Sequence, residues 1–261
     1  MAGNGATRHA FDVERVLPGE RSVQTEALVK SYRGRTVVNE VSITVKAGEI
    51  VGLLGQNGAG KTTTFYMVVG LVRPQRGRVL LDGEDITRLP MHVRARRGLG
   101  YLAQDNSVFR RMTVEDNLLS ILELQPGLTR EQRHARTEAL LEELHITERR
   151  HQLASTLSGG ERRRCEIARA LATQPSFLLL DEPFTGVDPL HVSEIREIIQ
   201  SLRARLGIGV LLTDHNPQAT LKLCDRAYIM SEGRIFRHGP SEEIAVDPEV
   251  LEKYLGKDFR L

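Results

Sequence analysis

Hydrophobic and polar residues alternate near the start of the chain, then give way to unbroken apolar runs. Leu28-Val29-Lys30-Ser31-Tyr32 leads into a turn at Arg33 and Gly34, beyond which Val41, Ile43 and Val45 alternate with polar residues. That is the period-2 pattern of a half-buried antiparallel hairpin or meander. The runs EIVGLL (49–54), FLLL (177–180) and GVLL (209–212) do not alternate, and helical patterns lie between them. Strands of this kind are buried on both faces, so the three runs predict the centre of a mainly parallel sheet flanked by helices.

Between Gln104 and Ser158 the strand rhythm is missing. TVED (113–116) precedes Leu118, Leu119, Ile121 and Leu122, and TREQ (129–132) precedes Leu140, Leu141 and Leu144. A threonine three residues ahead of an acid or amide caps a helix reciprocally, so both stretches open helices. The pattern therefore predicts an α/β core of mainly parallel sheet with an antiparallel β part, into which an α-helical subdomain of about residues 105–165 is inserted. An amphipathic segment (219–224), a hairpin around Ser231, Glu232 and Gly233 and a helix near 248–255 follow, the last two within a C-terminal part of about 226–261. Residues 1–25 carry no periodic pattern and are read as a mobile tail ahead of one domain spanning 26–261.

Composition narrows the picture. With 40% hydrophobic and 27% charged residues the chain can bury a large core, and a net charge of +2 is too small to attract nucleic acid in bulk. Cys165 and Cys224 lie far apart without metal-ligand spacing, which argues against a disulfide scaffold or zinc site and for a reducing, cytoplasmic setting. The most apolar stretch, 65–72, is eight residues long. A membrane-spanning helix needs roughly 20.

Candidate chemistry begins with GQNGAGKT (55–62), which fits G-x-x-x-x-G-K-[ST] and joins a strand to a helix starting near Thr63. Gly55, Gln56, Asn57, Gly58, Ala59 and Gly60 would turn their backbone N–H groups toward phosphates, Lys61 would reach the β/γ oxygens, and the Thr62 hydroxyl would ligate Mg²⁺. LLLDE (178–182) puts Asp181 and Glu182 at the C-terminal end of a buried strand, where open α/β sheets bind ligands. Asp181 is expected to hold the metal and Glu182 to act as general base on the attacking water. His215, closing the next apolar strand, would orient that water.

LSGGERRRCEIARAL (157–171) adds a second anion-ready motif. Ser158 and Glu161 alone form a capping box, but a cap needs no glycine pair, and bare N–H groups at a helix start suit a phosphate. Because one nucleotide does not need two such sites, the second is expected to serve another copy of the chain.

These motifs stand in the order of the ATP-binding-cassette ATPases, which the chain resembles over about 27–240: GQNGAGKT, Gln104 after a strand, LSGGE, LLLDE, GVDP (186–189) and His215. The resemblance implies a P-loop NTPase core and a homodimer that sandwiches two ATP molecules. It also implies that Ser158, Gly159 and Gly160 act in trans, that Asp188 lies at the dimer seam, that Tyr32 stacks on adenine, and that Gln104 links magnesium to the helical subdomain. Glu161 departs from the glutamine usual in that family. Longer stretches, among them VFRRMTVEDNL (108–118), LLTDHN (211–216) and the ending YLGKDFRL (254–261), resemble the cassettes that power lipopolysaccharide export in Gram-negative bacteria. The implied cofactors are ATP and Mg²⁺. The implied partners are a second copy and two integral membrane permease subunits on the inner membrane's cytoplasmic face, with no contact to the transported lipid and none to nucleic acid.

Phe109 and Arg110, with Arg111, read as an anchor for a partner helix; the alternative is that Phe109 plugs the helical subdomain. Arg162, Arg163 and Arg164 oppose the helix dipole, which suits either a solvated face or a phosphate- or partner-related role; Arg94, Arg96 and Arg97 read as solvated surface. Two other readings compete: the ATPase of a branched-chain amino-acid importer, and a nucleotide-gated scaffold on DNA or ribosomes. The second lacks the coiled-coil insertion, zinc module or second cassette it would need.

Overall fold

The computed structural model describes residues 21–261, the side chains of residues 189 and 190 excepted. Residues 22–25, read from the sequence as part of a mobile tail, belong instead to a strand. Strand β1 (Ser22–Tyr32) already includes Val23 and Thr25 as buried positions, and residues 1–20 lie outside the described part.

β1 turns through Arg33 and Gly34 into antiparallel β2 (Arg35–Val41), and β3 (Thr44–Lys46) pairs with the start of β1. β4 (Ile50–Gly55) is buried at every position and leads into α1 (Lys61–Val69). β5 (Arg76–Leu81) and the two-residue β6 (Glu84–Asp85) complete a first sheet of order β2-β1-β5-β6, with β3 on β1. The sequence reading missed β5, because RGRVLL opens with two arginines and a glycine and buries only its last three residues.

α2 (Met91–Arg96) and β7 (Leu99–Leu102) lead to the helical subdomain, built from α3 (Val114–Leu122), α4 (Arg130–Glu143) and α5 (Gly159–Leu171). Thr113, Thr129 and Ser158 close reciprocal capping boxes with Asp116, Gln132 and Glu161. β8 (Phe177–Asp181), α6 (Pro189–Leu206), β9 (Gly209–Thr213) and α7 (Pro217–Leu223) return the chain to the core. The β10 (Arg226–Ser231) and β11 (Arg234–Pro240) hairpin, α8 (Ser241–Val246) and α9 (Pro248–Val250) end it, with Leu251–Leu255 continuing in a wider turn.

The second sheet has the order β11-β10-β4-β9-β8-β7, parallel throughout except for β11. Its interior strands are the three apolar runs read from the sequence, plus β10. β4, β8 and β9 are neighbours, so their C-terminal ends converge on one edge, and the chemistry gathers there.

Arg94 corrects the reading of its arginine group as solvated. It is 1% exposed and spends its guanidinium on the carbonyls of Leu89, Met67, Val68 and Thr87, tying α2 to the end of α1. Burial lowers its pKa to about 10, which still leaves it charged at neutral pH.

Candidate nucleotide and hydrolysis site

The loop from Gly55 to Gly60 wraps the start of α1. Gly60 sits at φ 101°, and a Cβ there would lie 2.6 Å from the Val37 carbonyl oxygen, so both backbone conformation and space demand glycine. Lys61 folds back over the loop, donating from Nζ to the carbonyls of Gly55 (2.6 Å) and Gln56 (3.0 Å). Burial pulls its pKa down, against the opposing attraction of Glu182 and Asp181. Gln56, Asn57, Gly58 and Thr62 face solvent, while Ala59 is buried and Thr63 half-buried. The phosphate-ready loop is thus open on one side and held on the other by the turn between β10 and β11 and by β2, through Gly233 N–H to Ala59 O (3.1 Å) and the Gly60 contact with Val37. Tyr32, 45% exposed at the end of β1, has the Lys30 ammonium 5.4 Å from its ring centre.

Asp181 ends β8 almost wholly buried. Thr213 Oγ1, from the neighbouring end of β9, donates to Asp181 Oδ1 at 2.7 Å, while Oδ2 is buried without a hydrogen-bond partner. Burial raises its carboxyl pKa above the ordinary range, opposed by the Thr213 bond. A buried carboxylate oxygen with no protein donor, beside the phosphate loop, fits a divalent cation bound together with nucleotide.

Glu182 follows in a left-handed conformation, φ 48°, with its N–H held by the Thr213 carbonyl (3.1 Å) and hydroxyl (3.2 Å). Its carboxylate pairs with His215 Nε2 at 2.7 Å and accepts from Gln104 Nε2 at 2.7 Å and Thr185 Oγ1 at 3.1 Å. The structure therefore joins His215, expected to reach the γ-phosphate and orient the water, directly to Glu182. Gln104, expected on the metal, directs its amide nitrogen to Glu182. Thr213 and Thr185 were missed as partners. Thr213 stands two residues before His215, where its strand-end position was the available signal; Thr185 carried none beyond its proximity to Glu182.

Around Ser158 the structure changes the argument. A Cβ on Gly159 would lie 2.5 Å from the Gly186 carbonyl oxygen, and one on Gly160 would lie 2.9 Å from His191 Cβ. The glycine pair is thus already required by close packing of α5 on the loop leading to α6 and on the first turn of α6, and it does not by itself demand a phosphate. Glu161 caps Ser158 N–H at 2.8 Å and binds Arg149 at 2.6 Å. Burial disfavours its charge, but these hydrogen bonds outweigh it and lower the pKa. Asp188, exposed, opens the turn whose carbonyl receives His191 N–H at 2.8 Å.

The arginine run divides. Arg163 is buried, bonding Glu166 (2.9 Å) and the carbonyls of Ala103, Asp181, Glu182 and Pro183, so it staples α5 to both the Gln104 loop and the end of β8. That corrects its reading as a solvated or partner-facing charge. Arg162 bonds the Leu157 carbonyl and Arg164 pairs with Glu194. Phe109 does not plug the helical subdomain: it is 47% exposed, with the Arg169 guanidinium 4.4 Å from its ring centre and its backbone held by Asn117. Arg110 is exposed beside it.

A P-loop at the end of β4, paired carboxylates at the end of β8, a histidine after β9 and an inserted helical subdomain define a nucleotide-hydrolysing cassette. The sequence profile of the ABC transporter family matches residues 38–185. The chain belongs to that family, as one of its ATP-hydrolysing ATP-binding subunits. It is 57% identical over 236 residues to the lipopolysaccharide export system ATP-binding protein LptB of Haemophilus influenzae, covering 90% of this chain and 98% of that protein. The LptB of Escherichia coli K12 is likewise 57% identical over 234 residues, covering 90% and 97%. Among solved structures, the ADP conformation of MJ1267, an ATP-binding cassette of an ABC transporter, superposes with a TM-score of 0.80 at 30% identity, covering 91% of this chain and 99% of that one.

Proposed function

We propose that this chain powers the extraction of lipopolysaccharide from the inner membrane, as a homodimer seated on the cytoplasmic side of two permease subunits of the LptF and LptG type. The observation that carries the reading is the 57% identity to proteins named for lipopolysaccharide export, sustained over nine-tenths of the chain. The branched-chain amino-acid importer has no comparable support. Among the described residues no helix is long and apolar enough to cross a membrane, so the lipid path would belong to the partners.

In this reading each ATP lies between the Gly55–Thr63 segment of one copy and Ser158, Gly159 and Gly160 of the other, with Asp188 at the seam and Tyr32 against adenine. Lys61 would exchange the carbonyls of Gly55 and Gln56 for the β/γ oxygens. Asp181, Thr62 and the carbonyl of the Gln104 side chain would hold Mg²⁺, and the unpartnered Oδ2 of Asp181 supports that assignment. When bound, the ion offsets phosphate charge and polarises the γ-phosphoryl group. Glu182 takes the proton from the attacking water as the new P–O bond forms and ADP departs, while His215 keeps the carboxylate and water aligned. Loss of the γ-phosphate removes the joint between the copies and releases them.

Phe109 and Arg110 would receive a short cytoplasmic helix of each permease. The test is co-purification of the tagged chain from detergent-solubilised inner membrane. Two lipopolysaccharide-exporter permeases should accompany it, and Phe109→Ala should lower their recovery at least several-fold. Recovery of amino-acid permeases instead would overturn the assignment of cargo.

A further inference from the structure

Three donors grip the Glu182 carboxylate, and they differ in where they come from. Gln104 follows β7 and leads into the helical subdomain; His215 follows β9. Each reaches Glu182 from a separate element, and its hold depends on how that element sits. Thr185 belongs to Glu182's own turn. Its N–H donates to the Glu182 carbonyl at 3.2 Å, and its hydroxyl folds back to Glu182 Oε2 at 3.1 Å. Glu182 also carries backbone strain, at φ 48°, followed by Pro183, so its side chain leaves the strand end in a direction that a relaxed residue would not choose. A carboxylate leaving a strained backbone needs a local constraint to keep one rotamer, and the Thr185 hydroxyl is placed to give it.

We propose that Thr185 is a positioning residue for hydrolysis: its hydroxyl fixes the orientation of the Glu182 carboxylate independently of Gln104 and the helical subdomain. The inference rests on the reading of Glu182 as general base. When Gln104 turns its side chain toward a metal or follows a partner, Oε2 loses one donor and keeps the other. The orientation of Oε1, the oxygen paired with His215, is then preserved by a contact that spans only three residues of chain.

The experiment compares Thr185→Val, which keeps the shape and removes the hydroxyl, with Thr185→Ser, which keeps the hydroxyl. Thr185→Ala serves as a second hydroxyl-free variant, and Glu182→Gln as the reference for the base. In the full-length chain with Mg-ATP, Thr185→Val and Thr185→Ala should lower kcat about 3- to 30-fold, the range for one hydrogen bond to a charged group that is shared with a second donor. KM for ATP, the nucleotide Kd measured calorimetrically without turnover, and Tm should stay near the parent values. Thr185→Ser should recover kcat to within about threefold.

A kcat for Thr185→Val at or above the parent, a serine variant as slow as the valine one, or a KM that rises in step with the fall in kcat would each overturn the assignment. If Glu182→Gln itself turns over near normally, the base reading fails and takes this one with it. If Glu182→Gln is inactive while Thr185→Val is normal, only the role of Thr185 falls.

Discussion

Asp181 shows at the scale of one residue how a cassette is built for a ligand. Burial raises its carboxyl pKa, the neighbouring Glu182 charge adds to the effect, and the Thr213 bond, Arg163 and Lys61 only partly oppose it. The unfolded chain ionises this residue more readily than the folded one does. Folded stability therefore falls as pH rises from the ordinary carboxylate range through the raised pKa, and at neutral pH the ionised Asp181 is a net burden on the empty protein. Asp181→Asn should raise Tm in nucleotide- and magnesium-free buffer at pH 7, with the difference shrinking on acidification into the ordinary carboxylate range, and should abolish magnesium-dependent ATPase. Differential scanning fluorimetry across pH checks it, and a Tm at or below the parent's would show that the carboxylate is already satisfied by the protein. LLLDE made both carboxylates legible only together with GQNGAGKT: two acids after an apolar run also suit a solvated loop start, and the upstream phosphate loop is what favours a buried strand that ends at the site. The Thr213 bond was not legible: it joins residues 32 apart in sequence, through strand pairing that no local pattern encodes.

At the scale of an element, α5 separates what periodicity reveals from what it hides. Its buried face includes Gly160, Arg163, Ile167 and Leu171, spaced by three and four, so the inward turn of Arg163 was available from the helical repeat. A run of three arginines invites a surface reading because charge rarely enters a core. Here the core offers carbonyls at the end of β8 and after β7, and a guanidinium satisfies several at once. The glycines at the head of α5 pose the opposite problem, since two explanations predict the same residue type. Gly159→Ala distinguishes them by sign. Were Gly159 merely a flexible helical residue, alanine would stabilise the fold by about 0.5–1 kcal/mol through its better helix propensity. The 2.5 Å approach to the Gly186 carbonyl instead calls for destabilisation of about 1–3 kcal/mol, because a backbone atom must move. Urea unfolding monitored by circular dichroism decides between the two, and a gain in stability would mean that α5 and the loop toward α6 are not in contact.

At the scale of the whole molecule, the two anion-ready motifs sit on different bodies of the fold. Lys61 opens α1 under the parallel sheet, while Ser158 caps a helix of the inserted subdomain and rests against the loop to α6. Among the described residues no hydrogen bond joins 55–63 to 158–160. If two copies complete each other's sites, lesions at the two motifs must complement. A chain carrying Lys61→Ala spoils the loop and leaves the α5 cap intact; a chain carrying Ser158→Arg does the reverse. Each homodimer then has two broken sites. A mixed dimer has one site broken on both sides and one built from the two intact halves. Random pairing of equal amounts makes half the dimers mixed, each with one working site of two, so ATPase should return to about a quarter of the parent rate if the sites act independently. Turnover that stays at the level of the two homodimers, under conditions where labelled subunits are seen to exchange, would mean that each chain encloses its own nucleotide. The cap at Ser158 would then have to be explained by α5 alone, as the packing of Gly159 and Gly160 already permits.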